Sequence, residues 1–332
     1  MPATGAAPLN HSANGDQPRV WVLHDGKIGM ANQVRGLAEA LGWPITEKQL
    51  AIRAPWRYLP PAFWLAPSLA LDPAGARLEP PWPDLVIACG RNSVAPARLV
   101  KRASNHRTFW VQVQDPRFAR AEIDLIVAPR HDPAPGKNVF RTIGAVHRVT
   151  EAKLAADAAR WAPVFAALPR PLVAVLIGGD NSVYRLTEQS FGALCDRLVA
   201  LAKSGVGLAI TPSRRTGDAQ RALLEKRLTG LRAYIWDGSG DNPYFGMLGT
   251  ADAILVTADS VSMISEAAAT GKPVHIVELE GGSDKFARFH QGMREAGITR
   301  PFNGTLEQWH YARLDDTARA AAEIRRRFAK AG

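Results

Sequence analysis

The sequence predicts an α/β protein made of two doubly wound, Rossmann-like domains. Three observations lead there. Short apolar runs of strand length alternate with helical runs along nearly the whole chain, a pattern that builds parallel sheets. The 332 residues suit two cores better than one. The alternation breaks at Pro169-Arg170-Pro171, where prolines cannot continue a helix and mark a linker.

Taken in order, residues 1–17 lack a basic region followed by an apolar core, so they read as a mobile tail and not as a secretory signal. A first domain over 18–150 carries strand-like runs at 19–24, 45–52, 85–89, 108–113 and 125–128, a short one near 139–143, and helices at 33–41 and 95–103. Residues 151–171 read as an Ala-rich linker helix ending in the proline pair. A second domain over 172–305 has strands at 172–177, 207–211, 233–236, 253–257 and 274–277. Its helices fall at 188–202, 218–228, 244–248, 261–270 and 286–296. In the last segment, 306–332, a helix over 314–329 is expected to pack back on the first domain.

Composition narrows the function. No apolar run approaches the ~20 residues of a membrane span. Cys89 and Cys195 lie far apart in apolar contexts, as buried free thiols of a reducing cytosol would. No Cys/His spacing suits a metal, so a metal-independent protein is expected. The formal charge of +10 is compatible with nucleic acid, an anionic membrane or an anionic small substrate. The basic residues are dispersed apart from Arg325-Arg326-Arg327, which reads as a solvated helix face or, second to that, a membrane contact, and no nucleic-acid motif accompanies them.

The richest stretch is 253–279. An apolar strand ends in Thr257-Ala258-Asp259-Ser260, a helix starts at Val261-Ser262, and Gly271-Lys272-Pro273 precedes the next strand. Free N–H groups and the dipole make a helix N-terminus an anion site, and open α/β sheets bind ligands at the carboxyl ends of their strands. A phosphate-bearing ligand follows. Glu266 sits further along the same, largely apolar helix, so its carboxylate either faces solvent or meets polar groups such as a ribose diol. Around it, Gly178-Gly179-Asp180-Asn181 closes one strand and leaves room for a diphosphate, or is an ordinary glycine turn. Ser213-Arg214-Arg215 closes another strand with residues suited to phosphate pairing.

In the first domain, His24-Asp25-Gly26-Lys27-Ile28-Gly29, followed by Gln33, ends the first strand. This is neither a dinucleotide fingerprint nor a P-loop. His24 or Asp25 could serve as a general base, or the stretch is a tight turn. Arg91, beside Gly90, could meet an acceptor's anionic group or is an ordinary surface arginine, and Gln114 and Asp115 end a neighbouring strand, where Asp115 is a base, an orienter of His24, or turn chemistry before Pro116. Between Arg53 and Leu65, aromatic and basic residues mix as in interfacial segments, with Trp56, Arg57, Phe63 and Trp64 as candidate membrane contacts. An ordinary packed helix-loop is the competing reading.

The motifs His24–Gln33, Ile177–Asn181 and Thr257–Ala267 resemble those of the plant "elongated mitochondria" fission-factor family, which has many bacterial members. The resemblance covers nearly all of 19–310. The second half also resembles glycosyltransferases of the GT-B fold, in which a Ser/Thr-rich loop, a helix bearing a glutamate and Gly-Lys-Pro hold a nucleotide-sugar. Ser260, Ser262, Glu266, Gly271, Lys272 and Pro273 stand in those places, and Asp180 stands where a small hydroxyl is common. The resemblance implies two GT-B-like domains with a ligand cleft between them, Glu266 on the ribose, and the Ser260–Ser262 N–H groups on the diphosphate.

The resulting expectation is a glycosyltransferase, cytoplasmic or peripheral to the inner face of a membrane, that uses a nucleotide-sugar as substrate, an acceptor hydroxyl, and no cofactor. His24, Asp25 and Asp115 are its catalytic candidates. Gly178, Gly179, Asn181, Ser213, Arg214, Arg215, Asp259, Ser260, Val261, Ser262 and Glu266 would bind the donor. Gly26, Lys27, Gly29, Gln33, Arg91 and Gln114 would line the acceptor side. A nucleotide-sugar 2-epimerase and a non-catalytic scaffold remain alternatives, and nucleic acid is not an expected partner.

Overall fold

Strands buried on both faces need side chains without polar groups, and the central strands of this protein have them. Leu85–Cys89 and Leu125–Pro129 are buried at every position. The computed structural model describes residues 17–64 and 66–331, in two compact units: one holds the chain up to Arg148 together with the segment from Asp315, the other Val149–Leu314. Most of the expected N-terminal tail lies outside the described residues.

The first unit contains β1 (Val20–His24), α1 (Ile28–Leu41), β2 (Ile45–Gln49), β3 (Leu85–Cys89), α2 (Arg91–Ala103), β4 (Phe109–Val113), β5 (Leu125–Pro129) and β6 (Val139–Thr142). Its sheet is parallel throughout, in the order β2-β1-β3-β4-β5-β6. The C-terminal helix Asp316–Ala331 completes it. Ala320, Ala321, Ile324 and Phe328 enter the same core as Val34, Leu37 and Leu41 of α1. The buried Asp316 carboxylate accepts the N–H groups of Ile143 and Gly144, both at 2.8 Å, which fixes the start of that helix. In the Arg325–Arg327 triplet, Arg325 caps the last carbonyls of α1, and Arg326 and Arg327 pair with Glu323.

The second unit contains α3 (Glu151–Phe165), β7 (Leu172–Ile177), β8 (Tyr184–Arg185), α4 (Glu188–Lys203), β9 (Gly207–Pro212), α5 (Asp218–Leu228), β10 (Ala233–Ile235) and α6 (Tyr244–Thr250). It continues with β11 (Ala253–Thr257), α7 (Val261–Ala268), β12 (Val274–Val277), β13 (Glu280–Gly281), α8 (Asp284–Glu295) and β14 (Thr299–Pro301). Its main sheet is again parallel, ordered β10-β9-β7-β11-β12-β14.

One segment behaves differently from its sequence expectation. The helix read as a linker, α3, is part of the second unit. It lies so close to α6 that a Cβ on Gly246 would sit 2.5 Å from the Trp161 ring, and one on Gly249 would sit 2.5 Å from the Leu154 carbonyl oxygen. Two glycines three residues apart thus make a groove for α3.

The strand orders locate the candidate binding edges. In each sheet the chain builds outward in one direction, then returns and builds in the other. The reversal falls between β1 and β3 in the first unit and between β7 and β11 in the second. Loops at the carboxyl ends of such strand pairs diverge and leave a crevice.

Candidate functional site

At the β7/β11 reversal, one buried carboxylate holds several loops. Asp259 has no exposed side-chain surface. It accepts the Thr257 hydroxyl at 2.6 Å and the Gly179 N–H at 3.2 Å, and pairs with Arg215 at 2.6 Å. Thr257 in turn accepts the Gly178 N–H at 2.7 Å. The Gly178 carbonyl takes the hydroxyls of Ser213 at 2.8 Å and Thr216 at 2.6 Å, while Arg215 also reaches the Gly179 carbonyl at 2.9 Å. Asn181 donates to the Asp259 carbonyl at 3.2 Å and accepts the N–H groups of Val183 and Tyr184. The loops after β7, β9 and β11 are therefore one network.

This wiring reassigns several of the expected donor residues. The N–H groups of Gly178 and Gly179 are already used within the protein. Space is what the glycines supply: a Cβ on Gly178 would fall 2.2 Å from the Asp259 carboxylate, and one on Gly179 would fall 2.0 Å from the Arg215 carbonyl oxygen. Asp259, Arg215, Ser213 and Asn181 hold the loops. The groups left facing outward are fewer. Ser260 caps α7 through the Met263 N–H, which leaves the N–H groups of Val261 and Ser262 at a position where a helix has no internal partner for them. Arg214 is exposed beside Arg215.

Glu266 is buried one and a half turns into α7, and its carboxylate accepts the Tyr244 hydroxyl at 2.5 Å. Burial pushes its carboxyl up to about 7, against the smaller opposing effect of the Tyr244 bond. Burial and the neighbouring Glu266 likewise raise the Tyr244 phenol well above its usual value. Of the two outcomes open to Glu266, solvent or polar partners, it takes the second, and the partner is protein. Tyr244 opens α6 after Asn242-Pro243, and no periodicity points to it. The Lys272 ammonium of Gly271-Lys272-Pro273 is turned inward as well, donating to the carbonyls of Leu248 at 2.7 Å and Gly249 at 2.6 Å at the end of α6.

The β1/β3 reversal of the first unit is built from separate pairs. His24 is buried, and the Gly26 N–H donates to its Nδ1 at 3.1 Å. That assigns the proton to Nε2, which donates to Glu47 at 2.7 Å. The Arg35 guanidinium, helped by His24, holds the Glu47 carboxyl down to about 2. The partner of His24 is thus Glu47 and not Asp115. Asp115 turns to Arg120, bonding it at 2.9 and 2.8 Å, and to the Arg117 N–H at 3.0 Å. Burial opposes its charge, yet these bonds keep its carboxyl below the usual range. Glu47 lies on β2, outside every sequence motif, so only the register of β2 against β1 reveals it.

The other acceptor-side candidates do gather at one edge. Asp25 pairs with Lys27 at 3.0 Å and accepts Asn92, on the first turn of α2, at 3.2 Å. Gln33 donates to the Gly29 carbonyl at 3.2 Å and accepts Gln114 at 3.3 Å. Arg91 is exposed and donates to the Arg57 carbonyl at 3.1 Å. Gln114, Arg117 and Ala119 all have left-handed backbones, with φ of 69°, 57° and 56°, so strain is concentrated in the loop after β4. Of the candidate membrane contacts, Arg57 and Phe63 are exposed and Trp56 is half-buried. Trp64 is not available: it is 5% exposed, packs with Ala70 and Ala95, and donates to the Leu59 carbonyl. Among the described residues, no group of His, Cys, Asp and Glu side chains is arranged to hold a metal, and no helix is long and apolar enough to cross a membrane.

Comparison with solved structures places the fold. An S. aureus MnaA structure with UDP superposes with a TM-score of 0.53 at 12% identity, covering 95% of this chain and 90% of that one. The UDP-GlcNAc 2-epimerase of Neisseria meningitidis bound to UDP-GlcNAc gives 0.52 at 14% identity, over 94% and 100%. At these identities the likeness shows the fold alone, which is GT-B-like: two parallel, doubly wound sheets. In sequence, the mitochondrial fission protein ELM1 of Arabidopsis thaliana is 37% identical over 277 residues. That match covers 75% of this chain and 65% of the relative, under two thirds of its length. The family model for mitochondrial fission ELM1 matches residues 28–328. The chain belongs to the mitochondrial fission ELM1 family.

Proposed function

We propose that this protein binds a nucleoside diphosphate sugar on its second unit and transfers the sugar to an acceptor hydroxyl. The observation that carries the reading is the Asp259 network, which rigidifies the loops at a strand-order reversal while leaving the α7 N-terminus open above Glu266. The Val261 and Ser262 N–H groups and Arg214 would meet the diphosphate and stabilise charge as it departs. Glu266, once separated from Tyr244, would accept the ribose hydroxyls. UDP-bearing ligands in fold neighbours make uracil the first base to test.

In the transfer itself, the acceptor oxygen forms a bond to the sugar's anomeric carbon, the bond from that carbon to the diphosphate oxygen breaks, and a base takes the acceptor proton. Of the first-unit candidates, Asp25 fits the base better than His24, because both ring nitrogens of His24 are committed to protein partners.

Calorimetry with UDP, GDP, ADP and CMP tests the donor site. One nucleotide should bind the wild type, and Glu266→Ala should weaken it about tenfold or more. Affinity unchanged by Glu266→Ala would remove the ribose assignment. No binding by any nucleotide would leave the non-catalytic scaffold as the family's role for this chain. A 2-epimerase would share the donor site, and product formed from donor alone, without acceptor, would identify one.

A further inference from the structure

We infer that residues 56–64 and 66–69 of the first unit form a docking surface for an anionic lipid bilayer. Seven large hydrophobic side chains are strongly exposed among the described residues, and four of them, Tyr58, Leu59, Phe63 and Leu69, fall in this segment. Tyr58, Phe63 and Leu69 are 67%, 68% and 60% exposed, so they contribute little to the core. The segment is nevertheless well anchored. It folds as three short 3-10 turns, Trp56–Tyr58, Pro61–Phe63 and Pro67–Ala70, and pins Trp64 and Ala70 against Ala95 of α2. An anchored base with apolar tips held in solvent is what an interfacial contact requires.

Charge selects the occupant. The sequence has no acidic residue between Glu47 and Asp72, while Arg53 and Arg57 are both exposed. The Arg57 guanidinium lies over the Tyr58 ring, 4.6 Å from its centre. An aromatic ring beside a guanidinium suits the headgroup region, where the ring meets acyl chains and the cation meets phosphate. A second copy of this chain is a poor occupant, since a two-fold contact would set the same arginines against one another. The overall charge of +10 acts in the same direction, toward an anionic surface.

The surface is continuous with the β1/β3 edge. Arg91, at the start of α2, donates to the Arg57 carbonyl at 3.1 Å, and Asn92 beside it holds Asp25 at 3.2 Å. Docking would therefore bring the Asp25 edge to the lipid interface. That the acceptor is itself lipid-borne is a corollary resting on the transferase reading. The docking does not depend on it.

Vesicle flotation tests the docking without any nucleotide. The full chain should float with phosphatidylcholine vesicles containing about one third phosphatidylglycerol and stay behind with phosphatidylcholine alone, and added salt should weaken the association. Phe63→Ser combined with Leu69→Ser should reduce partitioning about tenfold or more, and Arg57→Gln about threefold. Because these side chains are exposed, both variants should keep the wild-type melting temperature and the wild-type calorimetric response to UDP. Failure of wild-type protein to float with anionic vesicles, or equal flotation of the apolar variant, overturns the inference. A wild-type dimer in light scattering that the Phe63→Ser, Leu69→Ser variant dissociates would overturn it in favour of a second copy as occupant.

Discussion

The two strand-order reversals solve the same structural problem with different chemistry. At β7/β11, one fully buried carboxylate, Asp259, joins loops from neighbouring strands, and removing it takes away three of the contacts that tie them together, those to Gly179, Thr257 and Arg215. At β1/β3 the polar groups are paired locally: His24 with Glu47, Asp25 with Lys27 and Asn92, Gln33 with Gln114. A central hub makes a rigid, pre-organised edge, as binding a compact anion demands. Separate pairs make an edge whose parts can adjust independently.

The largest effect should come from breaking the hub. Asp259→Ala leaves the Arg215 charge and the Gly179 and Thr257 donors without their acceptor, and should cost about 3 kcal/mol of stability together with nucleotide binding. Asp25→Ala in the other reversal should cost about 1 kcal/mol or less, since its Lys27 partner is exposed. Urea denaturation of the two variants side by side decides the matter, and equal losses would end the distinction between hub and pairs.

Glycines sharpen the same contrast. A Cβ at position 178 has to displace the Asp259 carboxylate, which is itself held from three directions, so Gly178→Ala should cost about 2 kcal/mol. At Gly26 the added carbon would meet the Gln49 side-chain amide at 3.0 Å, a group free to move, and the cost is mainly that of a φ of 81°. About 1 kcal/mol is expected there. Thermal melts should rank the two in that order.

The architecture was largely legible in the sequence. Apolar runs such as 85–89 and 253–257 are strands, and the motifs at His24–Gly29, Gly178–Asn181, Ser213–Arg215 and Thr257–Ser260 lie at or just after the carboxyl ends of strands, because the polar residues that punctuate buried parallel strands fall where the strands emerge. What was not legible concerns pairing across the sheet. Nothing in Ile45–Gln49 marks Glu47 as the partner of His24, and nothing around Asn242-Pro243 marks Tyr244 as the partner of Glu266, since each contact joins residues from different elements. The linker reading of 151–171 missed its target for a related reason: the groove that receives α3 is made by Gly246 and Gly249, about ninety residues away.

Glu266 gives a titration opposite in direction to that of Glu47 in the first unit. Burial raises its folded-state value from 4.5 to about 7. Between those values the folded state holds a proton that the unfolded state has released, so its contribution to stability is full below about 4.5, falls as pH rises, and is lost above about 7. Measured against Glu266→Gln, wild type should lose about 3 kcal/mol of relative stability across that window and level off beyond it. Glu47, held down to about 2 by Arg35, has the opposite sign, and its contribution is lost only as pH falls toward that value. A stability difference between wild type and Glu266→Gln that stays flat from pH 5 to pH 8 would show that the carboxyl is not perturbed.

The smallest effects should come from the His24–Glu47 pair. If His24 only ties the turn after β1 to Glu47, His24→Gln keeps a side chain able to reach one of its two partners and should cost about 1 kcal/mol, with UDP affinity in the second unit within twofold of wild type. Glu47→Gln should cost less still, because Glu47 is 36% exposed and its pair with Arg35 is open to solvent on both sides. The informative comparison is between His24→Gln and Asp25→Asn in a transfer assay once a donor is known. A base at Asp25 makes the Asp25→Asn variant bind donor but fail to turn over, while His24→Gln retains most of its rate. The reverse ranking would mean that the imidazole leaves Glu47 during the reaction and that the local pairs of this edge are rearranged as it works.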